Sequence, residues 1–261
     1  MIMNSVLTIA GSDSSGGAGI QADIKTITAH KLFATSAITA LTAQNTTGVF
    51  AIHDAPADFV AAELDAIFSD IPPAAVKIGM VSNPDIIRII AHKLKEYKAV
   101  NIVVDPVMFS TSGSKLLADE AMTALTTLLL PLAAVITPNI PEAEVLTNIT
   151  IKDSADMEDA VKILAGRLPG GILIKGGHQI ETASDLLYFN GRAEWFHGKR
   201  INNPNTHGTG CTLSSAIACN LAMGHTMTES INNAKAYLTG ALKSGLNLGK
   251  GSGPLNHMYA L

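Results

Sequence analysis

The hydrophobic positions along the chain follow two alternating patterns. Short runs such as VNIVVDPV are almost continuously apolar, which is typical of strands that are buried on both faces of a parallel sheet. Longer segments such as DFVAAELDAIFSDI repeat their apolar residues at helical spacing. We predict strands in SVLTIAG, LFATSAITALTAQ, VFAIH, VKIGMV, VNIVVDPV, AAVITPN and GILIKGG, and a hairpin in DLLYFNGRAEWFHG, whose Asn190-Gly191 pair is a turn signal.

Helical periodicity recurs between these strands and after the last of them. Buried strands that alternate with helices indicate an α/β fold with a mostly parallel sheet covered on both faces. No shift in composition divides the chain, so we expect one domain over residues 1–261. We predict helices in AGIQADIKTITAHK, DFVAAELDAIFSDI, PDIIRIIAHKLKEY, DEAMTALTTLLL and EDAVKILAGRL, and in residues 211 to about 223 and 227 to about 248.

Composition and charge narrow the class of protein. The chain is 47% hydrophobic and 15% charged, which favours a large core over disorder. Its formal net charge is −4 and it has no basic cluster, so we expect no nucleic-acid partner.

The chain shows neither a secretory signal nor a membrane span. The first apolar run stops after about five residues, too short for a secretory signal. Pro131 interrupts the longest uncharged stretch, which we interpret as helix, turn and strand. We therefore expect a cytoplasmic protein with no membrane partner.

The two cysteines support a reducing compartment. Cys211 and Cys219 are eight residues apart on one predicted helix, or roughly 12 Å, which is too far for a disulfide. We expect both to be free thiols, as in the cytoplasm.

Ligands of parallel α/β sheets bind at the carboxyl ends of the strands. The first predicted strand runs into GSDSSGGAGIQAD, which lacks the glycine pattern of a dinucleotide site and the Gly-Lys-Ser/Thr of a P-loop. A Rossmann oxidoreductase is therefore excluded. From these residues alone, the segment is equally a structural loop or a ligand loop.

Polar residues also follow two later strands. Asp105 ends one strand, and Asn139 and Glu142 follow the next. Oxygen ligands at neighbouring strand ends could hold Mg²⁺ through waters. Alternatively, Asn139 caps a helix and Glu142 lies in its first turn, where the helix dipole favours a carboxylate.

A run of small residues precedes the penultimate helix: Gly208, Thr209, Gly210 and Cys211, called here the glycine loop. Glycines at a helix start let several backbone N–H groups point at one anion. The alternative is a plain turn before a core helix. Cys211 lies where the helix dipole lowers a thiol pKa, or else it is a small apolar residue.

These motifs occur together in a known family. GSDSSGGAGIQADIKT, TALTAQNTTGV, VVDPVM, TSG, TPNIPEAE, IKGGH, NTHGTGCTLSSAIA and GPLNH follow one another along essentially the whole chain. The sequence closely resembles the hydroxymethylpyrimidine/phosphomethylpyrimidine kinases of thiamine biosynthesis, in the ribokinase-like superfamily.

The resemblance implies a three-layer α/β/α fold and Mg²⁺- and ATP-dependent phosphorylation of 4-amino-5-hydroxymethyl-2-methylpyrimidine (HMP) or of its monophosphate. It implies that the glycine loop holds the transferring phosphoryl group and that the protein is a homodimer. Asn139 and Glu142 match the metal motif of the family, Asp105 joins the Mg²⁺ and phosphate network, and Lys175 lies near the nucleotide phosphates.

The resemblance also implies a pyrimidine pocket formed by Gly11, Asp23, Gln44 and Met80. Gln44 has independent support, because a carboxamide offers one acceptor and one donor in a plane and so matches an amino group beside a ring nitrogen. Met80 could contact the 2-methyl group, and Asp23 could accept from the hydroxymethyl or the amino group. Otherwise Asp23 is a solvated helix residue, Gln44 a strand-end polar residue and Met80 core filler.

Cys211 stands where sugar kinases of the superfamily carry an aspartate base. An acceptor phosphate needs no deprotonation, and a fixed carboxylate would repel it. We hypothesise that the thiol lets one site phosphorylate first the HMP hydroxyl and then the monophosphate. Two alternatives remain: a pyridoxal or pyridoxine kinase, against which Gln44 argues, and a regulatory protein that binds ATP without turnover.

Overall fold

The computed structural model describes residues 3–108, 117–176 and 183–260. In this part of the chain, nine strands form one sheet in the order β3-β2-β1-β4-β5-β6-β7-β8-β9. The TSG motif at 111–113 and the last two residues of IKGGH lie outside the described residues. The strands are β1 (Ser5–Asp13), β2 (Phe33–Asn45), β3 (Gly48–Asp54), β4 (Ala75–Ile78), β5 (Ile102–Val104), β6 (Val135–Ile136), β7 (Gly171–Ile174), β8 (Asp185–Phe189) and β9 (Arg192–Phe196).

The central part of the sheet is parallel and its margins are antiparallel. The strands β2, β1, β4, β5, β6 and β7 pair in parallel, whereas β3, β8 and β9 pair antiparallel to their neighbours. The prediction of a mostly parallel sheet is confirmed. The predicted hairpin is present too: Asn190 and Gly191 join β8 to β9 with φ angles of 49° and 77°, as a type I′ turn requires.

Eight α-helices connect and cover the strands in the described residues. Most lie where the hydrophobic period predicts them. They are α1 (Gly19–Ala29), α2 (Ala57–Asp70), α3 (Pro84–Glu96), α4 (Asp119–Ala124), α5 (Ile140–Thr147), α6 (Ser154–Ala165), α7 (Thr209–Ala222) and α8 (Met227–Ser244).

Two helix predictions need correction, and one helix was missed. The helix expected in DEAMTALTTLLL divides into α4, a π-helical turn at 125–129 and a 3-10 turn at 130–132, because Pro131 has no N–H with which to continue it. The last helix ends at Ser244, where Gly245 turns the chain with a φ of 62°. The pattern did not assign α5, whose eight residues are too few for a clear helical period.

Side chains of the central strands alternate between two buried layers. Val76 and Ile78 of β4 pack with α2, α3 and α6, whereas Ala75 faces the opposite layer, which contains residues of α1, α7 and α8. The three-layer α/β/α fold is therefore confirmed. Both cysteines are free thiols, as expected. Among the described helices, none combines the length and apolarity needed to cross a bilayer.

Candidate active site

The polar residues at the strand ends meet at one edge of the sheet. Asp105 and Lys175 directly follow β5 and β7, Asn139 follows β6 after Thr137 and Pro138, and Gln44 lies next to the end of β2. These strands are parallel, so their carboxyl ends share the edge where ligands bind in open α/β sheets. The start of α7 lies at the same edge, with Gly208 as its N-cap.

The glycine loop has a backbone that a larger residue could not follow. Gly208 has a φ of 83°, and a Cβ there would overlap the carbonyl oxygen of Gly17. The first hydrogen bond of the helix runs from the Thr212 N–H to the Gly208 carbonyl (2.8 Å). The N–H groups of Gly210 and Cys211 come before it and therefore have no acceptor within the helix. Thr209 donates its hydroxyl to the Thr206 carbonyl. The loop therefore presents backbone amides at the positive end of a helix.

Gly210 brings this loop against two charged side chains. A Cβ on Gly210 would lie 3.1 Å from Oδ2 of Asp105 and 3.4 Å from Nζ of Lys175. Lys175 donates to Oδ1 of Asp105 (2.7 Å), and Thr137 donates to the same oxygen (3.1 Å). Burial alone would lower the pKa of Lys175, but Asp105 and Glu142 raise it above its usual value, so its ammonium stays charged.

Glu142 and Asn139 form a capping box at the start of α5. Asn139 accepts from the Glu142 N–H (2.9 Å) and Glu142 accepts from the Asn139 N–H (2.8 Å), so the capping interpretation of this pair is confirmed. Burial raises the pKa of Glu142 to about 7, with Lys175 lowering it and Asp105 raising it. A single ammonium thus faces two buried carboxylates.

This donor set suits Mg²⁺ that keeps most of its waters. In the described part of the chain, no three His, Cys, Asp or Glu side chains are arranged to hold a metal ion by themselves. Mg²⁺ is commonly bound by one or two carboxylates together with substrate phosphates. Asp105 and Glu142 offer that arrangement beside the glycine loop, and a cation there would relieve the repulsion between them.

Of the residues expected to bind the acceptor, Gly11 and Met80 contact each other, and Gln44 lies near the glycine loop. A Cβ on Gly11 would lie 2.9 Å from Cε of Met80, so these two residues are in contact. Gln44 is half-buried, and its carboxamide lies 3.3 Å from Nε2 of His207, the residue before the glycine loop. The structure therefore places Gln44 beside the loop that would hold the phosphoryl group.

Asp23 does not face this space. Its side chain is fully buried and accepts from Lys77 (2.8 and 2.9 Å), Thr8 (2.5 Å) and Ser215 (2.7 Å). Both carboxylate oxygens are thus satisfied inside the protein. The expectations that Asp23 contacts the acceptor, or is a solvated helix residue, are both wrong, because a lysine of β4 neutralises it beneath the site.

Cys211 is half-buried in the first turn of α7. Burial raises the pKa of its thiol, while the charge of Lys77 and a hydrogen bond from the Gly19 backbone act in the opposite direction. The expected lowering by the helix start is therefore wrong, because desolvation outweighs it. The thiol is neutral at pH 7.

Two residues at the site, Lys77 and Asp13, were not predicted from the sequence, and the position of His207 beside the glycine loop suited either a phosphate contact or a plain loop residue. Lys77 was overlooked, although a lone lysine in the buried run AVKIGM requires a counter-charge. Asp13 and His207 hydrogen bond to each other (2.8 Å) across 194 positions, and no local pattern connects them.

Comparison with known proteins identifies the family. A model of the phosphomethylpyrimidine kinase family matches residues 13–256. The chain belongs to the phosphomethylpyrimidine kinase family. A hydroxymethylpyrimidine/phosphomethylpyrimidine kinase of Haemophilus influenzae is 47% identical over 257 residues, which cover 97% of this chain and 96% of that protein. The resemblance that the motifs indicate is thus confirmed.

Two solved structures show that this ribokinase-like fold is shared by kinases with different names. A phosphomethylpyrimidine kinase from Clostridium difficile 630 is 48% identical, with a TM-score of 0.82 over 90% of this chain and 98% of its own. An ADP complex of a Bacillus subtilis pyridoxal kinase is 38% identical, with a TM-score of 0.90 over 98% of each chain. Within the phosphomethylpyrimidine kinase family and its neighbours, the fold alone therefore does not decide the acceptor.

Proposed function

We propose that this protein transfers the γ-phosphoryl group of ATP to the hydroxyl of HMP and then to the phosphate of the product, as a bifunctional kinase of thiamine biosynthesis. The observation that carries the proposal is the position of the glycine loop. On one side Gly210 contacts the Asp105–Lys175 pair, and on the other His207 contacts Gln44. A donor phosphate and an aminopyrimidine would therefore meet at this loop.

The donor side of the site fits a nucleotide with its metal ion. Lys175 would neutralise phosphate oxygens, and Asn139 lies at the neighbouring strand end. Asp105 and Glu142 would hold Mg²⁺ through waters, and the ion would neutralise charge on the transferring phosphoryl group. The amides of the glycine loop would bind the same group, and these fixed donors need no reorganisation during the transfer.

The acceptor side fits a small heteroaromatic ring. Gln44 supplies the planar donor and acceptor, and the contact between Gly11 and Met80 supplies an apolar surface. Cys211, neutral because of burial, places no negative charge beside an acceptor phosphate. In a loose transition state the hydroxyl proton of HMP leaves late, so a strong base is not required for the first transfer.

Product analysis tests this function. The protein is incubated with Mg²⁺ and ATP together with HMP, HMP monophosphate or pyridoxal, and consumption of each acceptor is followed. We expect HMP to be converted through the monophosphate to the diphosphate. Consumption of pyridoxal alone would reassign the protein to vitamin B6 salvage, and ATP binding without turnover would overturn the enzyme assignment.

We also propose that the protein is a homodimer. On the marginal hairpin of β2 and β3, Leu41, Phe50 and Ile52 are 53%, 69% and 44% exposed. Leu41 pairs with His53 and Ile52 with Thr42, so Leu41 and Ile52 lie on opposite faces of the hairpin. A second copy of the chain that encloses this hairpin would bury these apolar residues and cover the unpaired edge of β3. Sedimentation should show a dimer that Phe50→Lys converts to a monomer, while Val100→Lys, at another exposed apolar residue, leaves the dimer intact. A monomeric wild-type protein would contradict this proposal.

A further inference from the structure

Asp13 is a fixed hydrogen-bond acceptor beside the glycine loop. Its Oδ1 accepts from the N–H and the hydroxyl of Ser15 (2.8 and 2.7 Å). Its Oδ2 accepts from the N–H groups of Gly17 and Ala18 (3.1 and 2.8 Å) and lies 2.8 Å from Nε2 of His207. Burial alone would raise the pKa of Asp13, but these bonds, above all the one with His207, hold it well below its usual range. The carboxylate is therefore ionised.

An ionised Asp13 fixes the proton on His207. A carboxylate only accepts hydrogen bonds, so the imidazole Nε2 must carry the hydrogen that it donates to Oδ2. His207 is buried, and a Cβ on Gly17 would overlap its ring. The ring therefore has little room to turn. Nε2 carries a single hydrogen, which is directed mainly at Oδ2 of Asp13, and a second group beside Nε2 can only share it as an acceptor.

The neighbouring carboxamide of Gln44 has two close partners. One terminal atom lies 3.3 Å from Nε2 of His207, and the other lies 3.1 Å from Oγ1 of Thr42. The structure places the nitrogen on the histidine side, but a half-turn of the carboxamide gives the same shape with nitrogen and oxygen exchanged. The partners must decide between the two orientations.

Both partners favour the oxygen on the histidine side. The single Nε2–H of His207 is donated mainly to Asp13 at 2.8 Å. At 3.3 Å an amide oxygen of Gln44 can share this hydrogen as a second acceptor, whereas an amide nitrogen would face it donor to donor. Thr42 has one hydroxyl hydrogen, and the carbonyl of Ser12 (3.0 Å) can only accept it, so Oγ1 of Thr42 is free to accept from the nitrogen of Gln44. With this half-turn every group has a complementary partner.

We propose that Asp13 and His207 are positioning residues that hold the Gln44 carboxamide with its oxygen toward His207 and its nitrogen toward Thr42. Each terminal atom keeps one further bonding position for a ligand. The pair thus determines which terminal atom of Gln44 faces the amino group of a bound aminopyrimidine and which faces the ring nitrogen.

This direction matters for the chemistry, and here the inference rests on the proposed function. Around the HMP ring the order of groups is hydroxymethyl, amino, ring nitrogen and methyl. When the Gln44 oxygen accepts from the amino group and its nitrogen donates to the ring nitrogen, the hydroxymethyl lies on the oxygen side. That is the side of His207, which directly precedes Gly208. The orientation therefore directs the reacting hydroxyl toward the glycine loop, and the opposite one would direct the methyl group there.

The orientation can be measured in the free wild-type protein. The chain contains three glutamines, Gln21, Gln44 and Gln179, so ¹⁵N-glutamine labelling gives few side-chain signals, and Gln44→Glu identifies one of them. We expect nuclear Overhauser contacts from the Gln44 amide hydrogens to the Thr42 methyl group. Contacts to the His207 ring in their place would overturn the proposal, whatever the substrate is.

Kinetics test the functional consequence. The compared quantity is kcat/KM for HMP divided by kcat/KM for the analogue with hydrogen in place of the 4-amino group. We expect His207→Phe and Asp13→Asn each to lower this ratio about tenfold, the loss of roughly one hydrogen bond, with the KM for ATP unchanged. Gln44→Ala should lower it similarly, and adding His207→Phe to Gln44→Ala should cause no further fall.

Leu64→Ala is the control for lost stability. Leu64 is fully buried on α2 in the layer opposite α7, so this variant should be less stable and keep the wild-type ratio. A ratio unchanged in His207→Phe and Asp13→Asn would overturn the positioning role. A wild-type protein that phosphorylates no pyrimidine would instead overturn the proposed function, and the NMR contacts would still decide the orientation of Gln44.

Discussion

At the scale of a single residue, Cys211 should affect the phosphorylation of HMP more than that of its monophosphate. Burial keeps its thiol neutral, whereas the HMP hydroxyl must lose a proton and the monophosphate is already ionised. The neutral thiol sulfur can orient the HMP hydroxyl as a weak hydrogen-bond acceptor, so we expect Cys211→Ala to lower kcat/KM for HMP by about tenfold and for the monophosphate by less than about threefold. Steady-state kinetics with each acceptor measures both effects. An equal loss with both acceptors, in a variant that remains folded, would contradict the assigned role.

Lys77 and Asp23 form a buried ion pair beneath Cys211. Both side chains have no exposed surface, so removing one charge leaves the other without compensation. We expect Lys77→Met to lower the free energy of unfolding by about 3–5 kcal/mol, measured by urea denaturation. The double variant Lys77→Met/Asp23→Asn should recover part of that loss. A single variant as stable as the wild type would show that the pair is not needed for folding.

Residue types at strand ends predict much of the site but not all of it. Gln44, Asp105 and Lys175 could be located because each follows an apolar run, and the carboxyl ends of parallel strands meet. The environment of Asp23, on α1, could not be predicted, because it depends on Lys77, which lies 54 positions later on β4. The direction of the shift in the Cys211 pKa depends on burial, which spacing along a helix does not reveal.

At the scale of elements, the start of α7 depends on the backbone of Gly208. Alanine there would have a left-handed φ and would overlap Gly17. We expect Gly208→Ala to lower stability by more than the about 1–3 kcal/mol of backbone strain alone, and to lower kcat at least tenfold by moving the glycine loop. Urea denaturation and steady-state kinetics measure these changes.

Gly224 provides the matched control for this variant. It has a φ of 86°, and a Cβ there would have no atom within 4 Å. Gly224→Ala should therefore show the cost of backbone strain without loss of kcat. Equal behaviour of the two alanine variants would show that contact with Gly17 is unimportant.

The C-terminal segment packs on α7 through His257. Nε2 of His257 lies 2.9 Å from the Thr212 hydroxyl, and burial, with Lys25, lowers the pKa of His257 from 6.5 to about 4. The folded state therefore binds fewer protons than the unfolded chain between these values. Stability from the neutral ring is present above pH 6.5 and is lost as the pH falls toward 4.

We expect this group to cost about 2 kcal/mol of stability between pH 7 and pH 5. The measurement is urea denaturation at both pH values for the wild type and for His257→Gln, which has no titrating ring. The variant should lose less stability over this interval. The same loss in both proteins would assign the acid sensitivity to other groups.

At the scale of the whole molecule, the order of apolar runs is enough to predict a parallel sheet between two helical layers. Strands such as β5 and β6 are buried on both faces, and their continuous apolar character shows it. The direction of the marginal strands is less visible in the sequence: β3 is partly exposed throughout, and antiparallel pairing there depends on the connection to β2. In the described residues nine strands join in one sheet, and one domain over residues 1–261 stays a prediction.

The central claim is that one site, between Gln44 and the glycine loop, carries out both transfers. The most direct measurement is inhibition of HMP phosphorylation by HMP monophosphate at saturating ATP, compared with the KM of the monophosphate as a substrate. Two substrates that compete for one site must give competitive inhibition with an inhibition constant equal to that KM. We expect this equality in the wild type and a parallel rise of both constants in Gln44→Ala. Non-competitive inhibition, or an inhibition constant that does not change together with the KM, would contradict a shared site.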